Sequence, residues 1–241
     1  MGTLLIVPGW GGNKKTWQGF KKYLQEHELD SDIKTKILEL PCFGDRPCPD
    51  EVWGVEEYAE FVNKKIKQEM ESDTIYLLGH SFGGAVAARA AHNYPNTIDK
   101  LILTAPALKR PNKKFKKAIF YLISKIGKLL FKLPIIRRVD SKAKKVLYKF
   151  AGTHDYRKTS GMKSKIFKKI IKENEMDIIS ELDNETLIIW GEDDELLPVE
   201  TSFEIVKELP NAWLRIIKKA GHGLHKNNKQ QLRKSINKFI K

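Results

Sequence analysis

Thr74-Ile75-Tyr76-Leu77-Leu78-Gly79-His80-Ser81-Phe82-Gly83-Gly84-Ala85 carries a short apolar run straight into a cluster of glycines around one serine. The run reads as a strand over Thr74–Leu78, and the Ala-rich stretch Phe82–Tyr94, closed by Pro95, reads as a helix. Between them lies the pattern G-x-S-x-G, Gly79 to Gly83. A turn this tight leaves no room for side chains at the flanking positions, so glycine stands there for steric reasons. The serine hydroxyl is pushed out where a substrate and a base both reach it. The helix N-terminus beneath it favours the negative charge that develops during attack.

Working outward, other short apolar runs alternate with helical patterns. Thr3–Val7, Thr35–Leu40, Leu101–Thr104, Thr186–Trp190 and Trp213–Ile217 read as further strands. They show little polar alternation, which suits parallel strands covered on both faces. Helices are expected over Val55–Met70, Thr201–Glu208 and Lys229–Ile240. Residues 107–182 break the rhythm, being long, basic and largely helical in pattern. The chain therefore divides into a core, 1–106 plus 183–241, and an inserted helical lid, 107–182.

Charge follows the same division. The whole chain carries a net charge of +14, yet residues 107–182 hold 22 Lys+Arg against 6 Asp+Glu, and the remainder holds 22 against 24. Within the insertion Phe115, Ile119, Leu122, Ile126, Leu129 and Leu130 recur at helical spacing, with lysines largely between them. The leading reading is a lid helix whose apolar face covers the site and binds an acyl group. Weak association with anionic membrane is the second reading, and nucleic-acid binding is not expected from Lys-dominated charge without a recognition fold.

No apolar run approaches the length of a membrane span. Met1-Gly2-Thr3 enters Leu4-Leu5-Ile6-Val7-Pro8 without a basic n-region or cleavage site, which points to a cytoplasmic location. Cys42 and Cys48, in a Pro-rich loop, read as two free thiols in a reducing compartment. With no histidine nearby they make a poor zinc set, and no metal or cofactor is expected.

With its strand and helix in place, the serine motif resembles that of the α/β-hydrolase superfamily, in particular its small lidded carboxylesterases and acyl hydrolases. Three further motifs carry the resemblance. Pro8-Gly9-Trp10-Gly11-Gly12 follows the first strand and is similar to the family's His-Gly-x-Gly loop, with Pro8 in place of the histidine. The resemblance implies that the Trp10 and Phe82 backbone N–H groups form the oxyanion hole. Gly191-Glu192-Asp193-Asp194-Glu195-Leu196-Leu197-Pro198 resembles the family's G-x-x-D-x-x-x-P acid loop. Its register selects Asp194, with Asp193 as the alternative. Gly221-His222-Gly223 follows the last strand, where the family places its base. His80 belongs to the elbow and points away from the chemistry in relatives, and His225 lacks the flanking glycine.

The implied catalytic set is Ser81, Asp194 and His222, in the family's chain order. The implied fold is a mainly parallel six-stranded sheet, without the two strands that usually come first, and with a lid after the fourth strand. The implied activity is hydrolysis of carboxylic esters with short or medium acyl groups. A lactonase, thioesterase, aminopeptidase or carbon–carbon bond hydrolase would use the same residues. A non-catalytic ligand-binding or membrane-associated protein on the same fold is the contrasting reading.

Overall fold

The computed structural model describes residues 2–27, 29, 32–69, 74–109 and 161–241. Among these residues six strands form one all-parallel sheet in the order β2-β1-β3-β4-β5-β6. They are β1 (Gly2–Val7), β2 (Ile33–Ile37), β3 (Thr74–His80), β4 (Lys100–Thr104), β5 (Glu185–Gly191) and β6 (Ala212–Ile217). The expected sheet is present, and most strand bounds differ from those expected by a residue or two. The β2 edge differs more: the strand runs Ile33–Ile37, and Leu38, whose amide still donates to Ile6 O, and Leu40 are buried just beyond it.

Helices cover both faces. They are α1 (Lys14–Glu26), α2 (Val55–Glu69), α3 (Phe82–Asn93), α4 (Gly161–Ile170), α5 (Glu200–Glu208), the single turn α6 (Leu224–Asn227) and α7 (Lys229–Ile240). Period-2 geometry sends alternate residues of β1 to opposite sides. Leu4 and Ile6 meet Trp17, Phe20 and Leu24 of α1 and Leu232 and Ile236 of α7. Leu5 and Val7 meet Val62 of α2 and the alanines of α3. This double burial is why the inner strands are so largely apolar.

The alanines of α3 have a geometric purpose. The helix lies directly on the sheet, and Ala85, Val86, Ala87, Ala88, Ala90 and Ala91 are all buried. A Cβ at Gly79 would meet Ala87 Cβ at 2.6 Å and Gly84 Cα at 2.7 Å, so strand and helix approach as closely as their backbones allow.

The expected insertion is described only at its two ends, and the amphipathic pattern over residues 115–130 lies outside the described residues. Its C-terminal end packs on the core: Ile166 of α4 and Ile179 are fully buried. Arg89 of α3 holds the nearly buried Glu175 carboxylate at 2.8 Å, and the Glu175 amide donates to Leu108 O. Glu173 accepts from the Val55 amide at 2.9 Å, which ties the same segment to the start of α2.

One expectation is overturned. Cys42 and Cys48 are not free thiols but a disulfide. The intervening chain doubles back on itself, with left-handed Cys42 and Gly44 and a Cys42 N–H to Pro47 O bond that brings the two Cα atoms to 4.0 Å. A Pro-rich loop with a glycine supplied the turn, which spacing alone does not reveal. Among the described residues no helix is long and apolar enough to cross a membrane.

Candidate active site

Ser81 stands at the carboxyl end of β3 with φ 53° and ψ −118°, backbone values that a side chain rarely adopts. The surroundings hold it there. The Ser81 amide donates to Thr104 O at 3.0 Å, and its carbonyl accepts from the Gly84 and Ala107 amides at 2.9 Å each. Gly83 lies against Val7 O and Pro8 O, so any side chain there would strike the first strand's exit. The elbow is thus pinned to β4 on one side and β1 on the other.

The loop after β1 turns back over Ser81. The Gly12 amide donates to Gly9 O at 2.9 Å, with Gly11 at φ 74°. A Cβ at Gly9 would lie 3.2 Å from Ser81 Cβ, which shows how closely this loop abuts the serine. Trp10 and Phe82 lie side by side, with ring centroids 5.6 Å apart. Phe82 is the first residue of α3, where backbone amides have no intrahelical partner. Among the described residues, neither its amide nor that of Trp10 has a hydrogen-bond partner.

Asp194 and His222 meet across two loops. His222 Nδ1 is 2.7 Å from Asp194 Oδ2, and the other carboxylate oxygen accepts from the Leu196 and Leu197 amides at 2.9 and 3.0 Å. Three hydrogen bonds to one fully enclosed carboxylate fix its position. Because that carboxylate accepts, the hydrogen of this bond sits on Nδ1. Asp193 is exposed, and its amide is used to anchor the loop to Ala220 O. Geometry therefore separates the two adjacent acids.

His222 lies beside the serine elbow: its ring is 4.7 Å from that of His80, the residue before Ser81. His80, read from the sequence as structural, is buried beside His222. Its Nδ1 lies 3.1 Å from both Thr104 O and Thr104 Oγ1. Burial, reinforced by the neighbouring His222 and His225, holds its pKa well below the ordinary histidine value, so it is neutral. His225 stacks on Trp17 at 4.0 Å, and burial with nearby Lys226 lowers its pKa to about 3. His80 and His225 thus have lowered pKa values close to His222.

Two further residues were not legible in the sequence. Phe43 and Phe167 reach Trp10 from distant segments, with centroids at 4.9 and 5.0 Å. Neither has a spacing that announces it, since the disulfide loop delivers one and α4 the other. Together with Phe82 they make an aromatic wall beside the serine. Among the described residues no group of three or more His, Cys, Asp or Glu is placed to hold a metal ion.

Parallel strands, a strained serine between β3 and α3, and a histidine bonded to an acid after β5 define a member of the α/β-hydrolase class. The chain belongs to that family: the family model described as alpha/beta hydrolase fold matches residues 2–229. Among curated proteins it is similar to a biotin biosynthesis bifunctional protein, BioHC, of Teredinibacter turnerae. That match is 24% identical over 99% of this chain and 44% of the relative. A pimeloyl-[acyl-carrier protein] methyl ester esterase of Aeromonas hydrophila is 31% identical over 42% of this chain and 37% of its own length. The chain thus spans less than half the length of either relative. Among solved structures, an esterase from Exiguobacterium antarcticum superposes with a TM-score of 0.73 at 17% identity, covering 100% of this chain and 92% of that one.

Proposed function

We propose that the protein is a serine hydrolase of carboxylic esters with short or medium acyl groups, acting through Ser81, His222 and Asp194. The observation that carries the proposal is the 2.7 Å His222–Asp194 bond, which commits Nδ1 to the carboxylate on a ring packed against the serine elbow. The aromatic wall of Trp10, Phe43, Phe82 and Phe167 supports an apolar acyl group. The ester named for the Aeromonas relative inclines the reading the same way.

The mechanism follows from the roles. His222 Nε2 takes the Ser81 hydroxyl proton as Oγ bonds to the ester carbonyl carbon. Asp194 stabilises the imidazolium that forms and fixes its tautomer. The Trp10 and Phe82 amides donate to the oxyanion, and loss of one such donor costs about 3–4 kcal/mol of transition-state stabilisation. Collapse breaks the ester C–O bond, and the alcohol leaves with the proton from His222. Water, deprotonated by His222, then attacks the acyl-enzyme and releases the acid and Ser81.

A cytoplasmic location remains part of the proposal, but the Cys42–Cys48 disulfide weighs toward an oxidising compartment, and the redox state of the pair in cells decides between them. Membrane attraction through the basic insertion concerns residues largely outside those described. The test of function is a series of p-nitrophenyl esters of increasing chain length. Wild type is expected to turn over the shorter members, and Ser81→Ala is expected to abolish that turnover while the fold is retained. Inertness of folded wild type across the series would overturn the reading.

A further inference from the structure

A cleft lies at the far end of the molecule from Ser81. All six strands are parallel and the serine follows the carboxyl end of β3, whereas this cleft is lined by Lys100 and Glu185, the first residues of β4 and β5. It has a volume of about 560 Å³, within the ordinary range for small-molecule sites. One wall is the β5–β6 edge, where Leu187 and Trp213 are register partners and Arg215 follows on the same face. The other wall is one stripe of α7: Gln231, Lys234, Ser235, Lys238 and Phe239 recur at the three- and four-residue spacing of a helix face.

The chemistry of the two walls is complementary to one kind of molecule. The floor is apolar and aromatic. Trp213 is 50% exposed and stands 5.5 Å from the Phe239 ring, so a large indole surface faces the solvent unused. The rim is cationic. Lys100 is already committed to Glu185 at 3.0 Å and to Phe239 O at 3.0 Å. Arg215, Lys234 and Lys238 are exposed and have no carboxylate partner among the described residues. Among the described residues Glu185 is the only acid lining the cleft, and Lys100 pairs with it. A lone solvated lysine would mean little, but three uncommitted cations around an open aromatic floor favour an anion with an apolar body.

We propose that this cleft binds a free single-chain carboxylate, the apolar chain lying over Trp213 and Phe239 and the carboxylate among Arg215, Lys234 and Lys238. The inference stands apart from the catalytic proposal, because none of its residues belongs to the serine site.

Trp213 is the only tryptophan lining the cleft and serves as the reporter. The experiment titrates the full chain with decanoate below its micellar concentration and, separately, with decanol, following tryptophan fluorescence. The variants are Trp213→Phe and Lys234→Glu/Lys238→Glu, both at exposed positions. The expected result is a saturable change with decanoate that disappears in Trp213→Phe. Affinity should fall about ten-fold or more in the charge-reversed variant, and decanol should bind about ten-fold more weakly than decanoate. A response that survives Trp213→Phe, ignores the charge reversal, or is as strong with decanol would overturn the proposal. So would cosedimentation with phosphatidylglycerol vesicles that depends on the cleft while decanoate gives no response, since the occupant would then be a lipid surface.

Discussion

Asp194 and His222 are joined by a 2.7 Å hydrogen bond between loops that follow different strands, and the next acid, Asp193, takes no part in it. The carboxylate is fully enclosed and its second oxygen is held by two backbone amides. Asn at 194 would present either a donor or a poorer acceptor to Nδ1 and favour the wrong tautomer. Asp194→Asn is expected to lower kcat on an activated ester by about 10⁴-fold, and Asp193→Asn by no more than about three-fold. Steady-state kinetics of the two variants checks this, and the reverse order would shift the acid to Asp193.

Gly83 makes a prediction about stability rather than chemistry. A Cβ there would strike two backbone carbonyl oxygens, Val7 O and Pro8 O, which cannot rotate away. Gly83→Ala is expected to cost about 3 kcal/mol, lowering Tm by roughly 6–12 °C in a chain of this size. Gly11 is the contrast: it has φ 74° but no atom within 4 Å of an added Cβ. Gly11→Ala should cost only about 1 kcal/mol, the backbone strain alone. Thermal scans of both variants check the difference.

Arg89 and Glu175 anchor the segment that returns from the insertion. Glu175 is 4% exposed, and burial raises its pKa while Arg89 pulls it back. Removing the cation leaves a buried carboxylate with its partner gone. Arg89→Met is expected to cost about 3–5 kcal/mol, and adding Glu175→Gln to recover a substantial part. Urea unfolding of the two single variants and the double variant measures the coupling.

Acid sensitivity follows from His80 and His225. Burial first, then neighbouring charge, lowers both pKa values below the ordinary 6.5. Below that value the unfolded chain binds protons that the folded chain refuses. The stabilisation is therefore complete above about pH 6.5 and is lost as pH falls toward the folded values, by up to about 1.4 kcal/mol per pH unit for each residue. His92, whose pKa is raised by Asn93 and Glu181, opposes this weakly from the surface. Among the described residues His225 Nδ1 has no hydrogen-bond partner, so His225→Phe keeps the stack on Trp17 and removes one titration. Tm at pH 7 and pH 5 should fall for wild type and fall less for His225→Phe.

Much of this was legible in the residues, for identifiable reasons. Strands buried on both faces must be apolar throughout, so β1, β3, β4 and β5 announce themselves. The elbow is legible because only glycine fits at 79 and 83. The edge strand β2 is less so: it is polar on its open side, and the apolar Leu38 and Leu40 that seem to extend it are buried by the disulfide loop instead. Four adjacent acids at 192–195 differ in direction rather than in type, and only the fold of the loop turns Asp194 inward. The packing of His80 on His222 and the convergence of Phe43 and Phe167 on Trp10 depend on contacts between distant segments. No local pattern encodes them.

The central claim is an activated Ser81, and the direct measurement is labelling with a fluorophosphonate probe followed by mass mapping on wild type, Ser81→Ala and His222→Ala. The account predicts a single adduct on Ser81 in wild type and none in either variant. A folded wild-type protein that takes no label, or one labelled elsewhere, would contradict it.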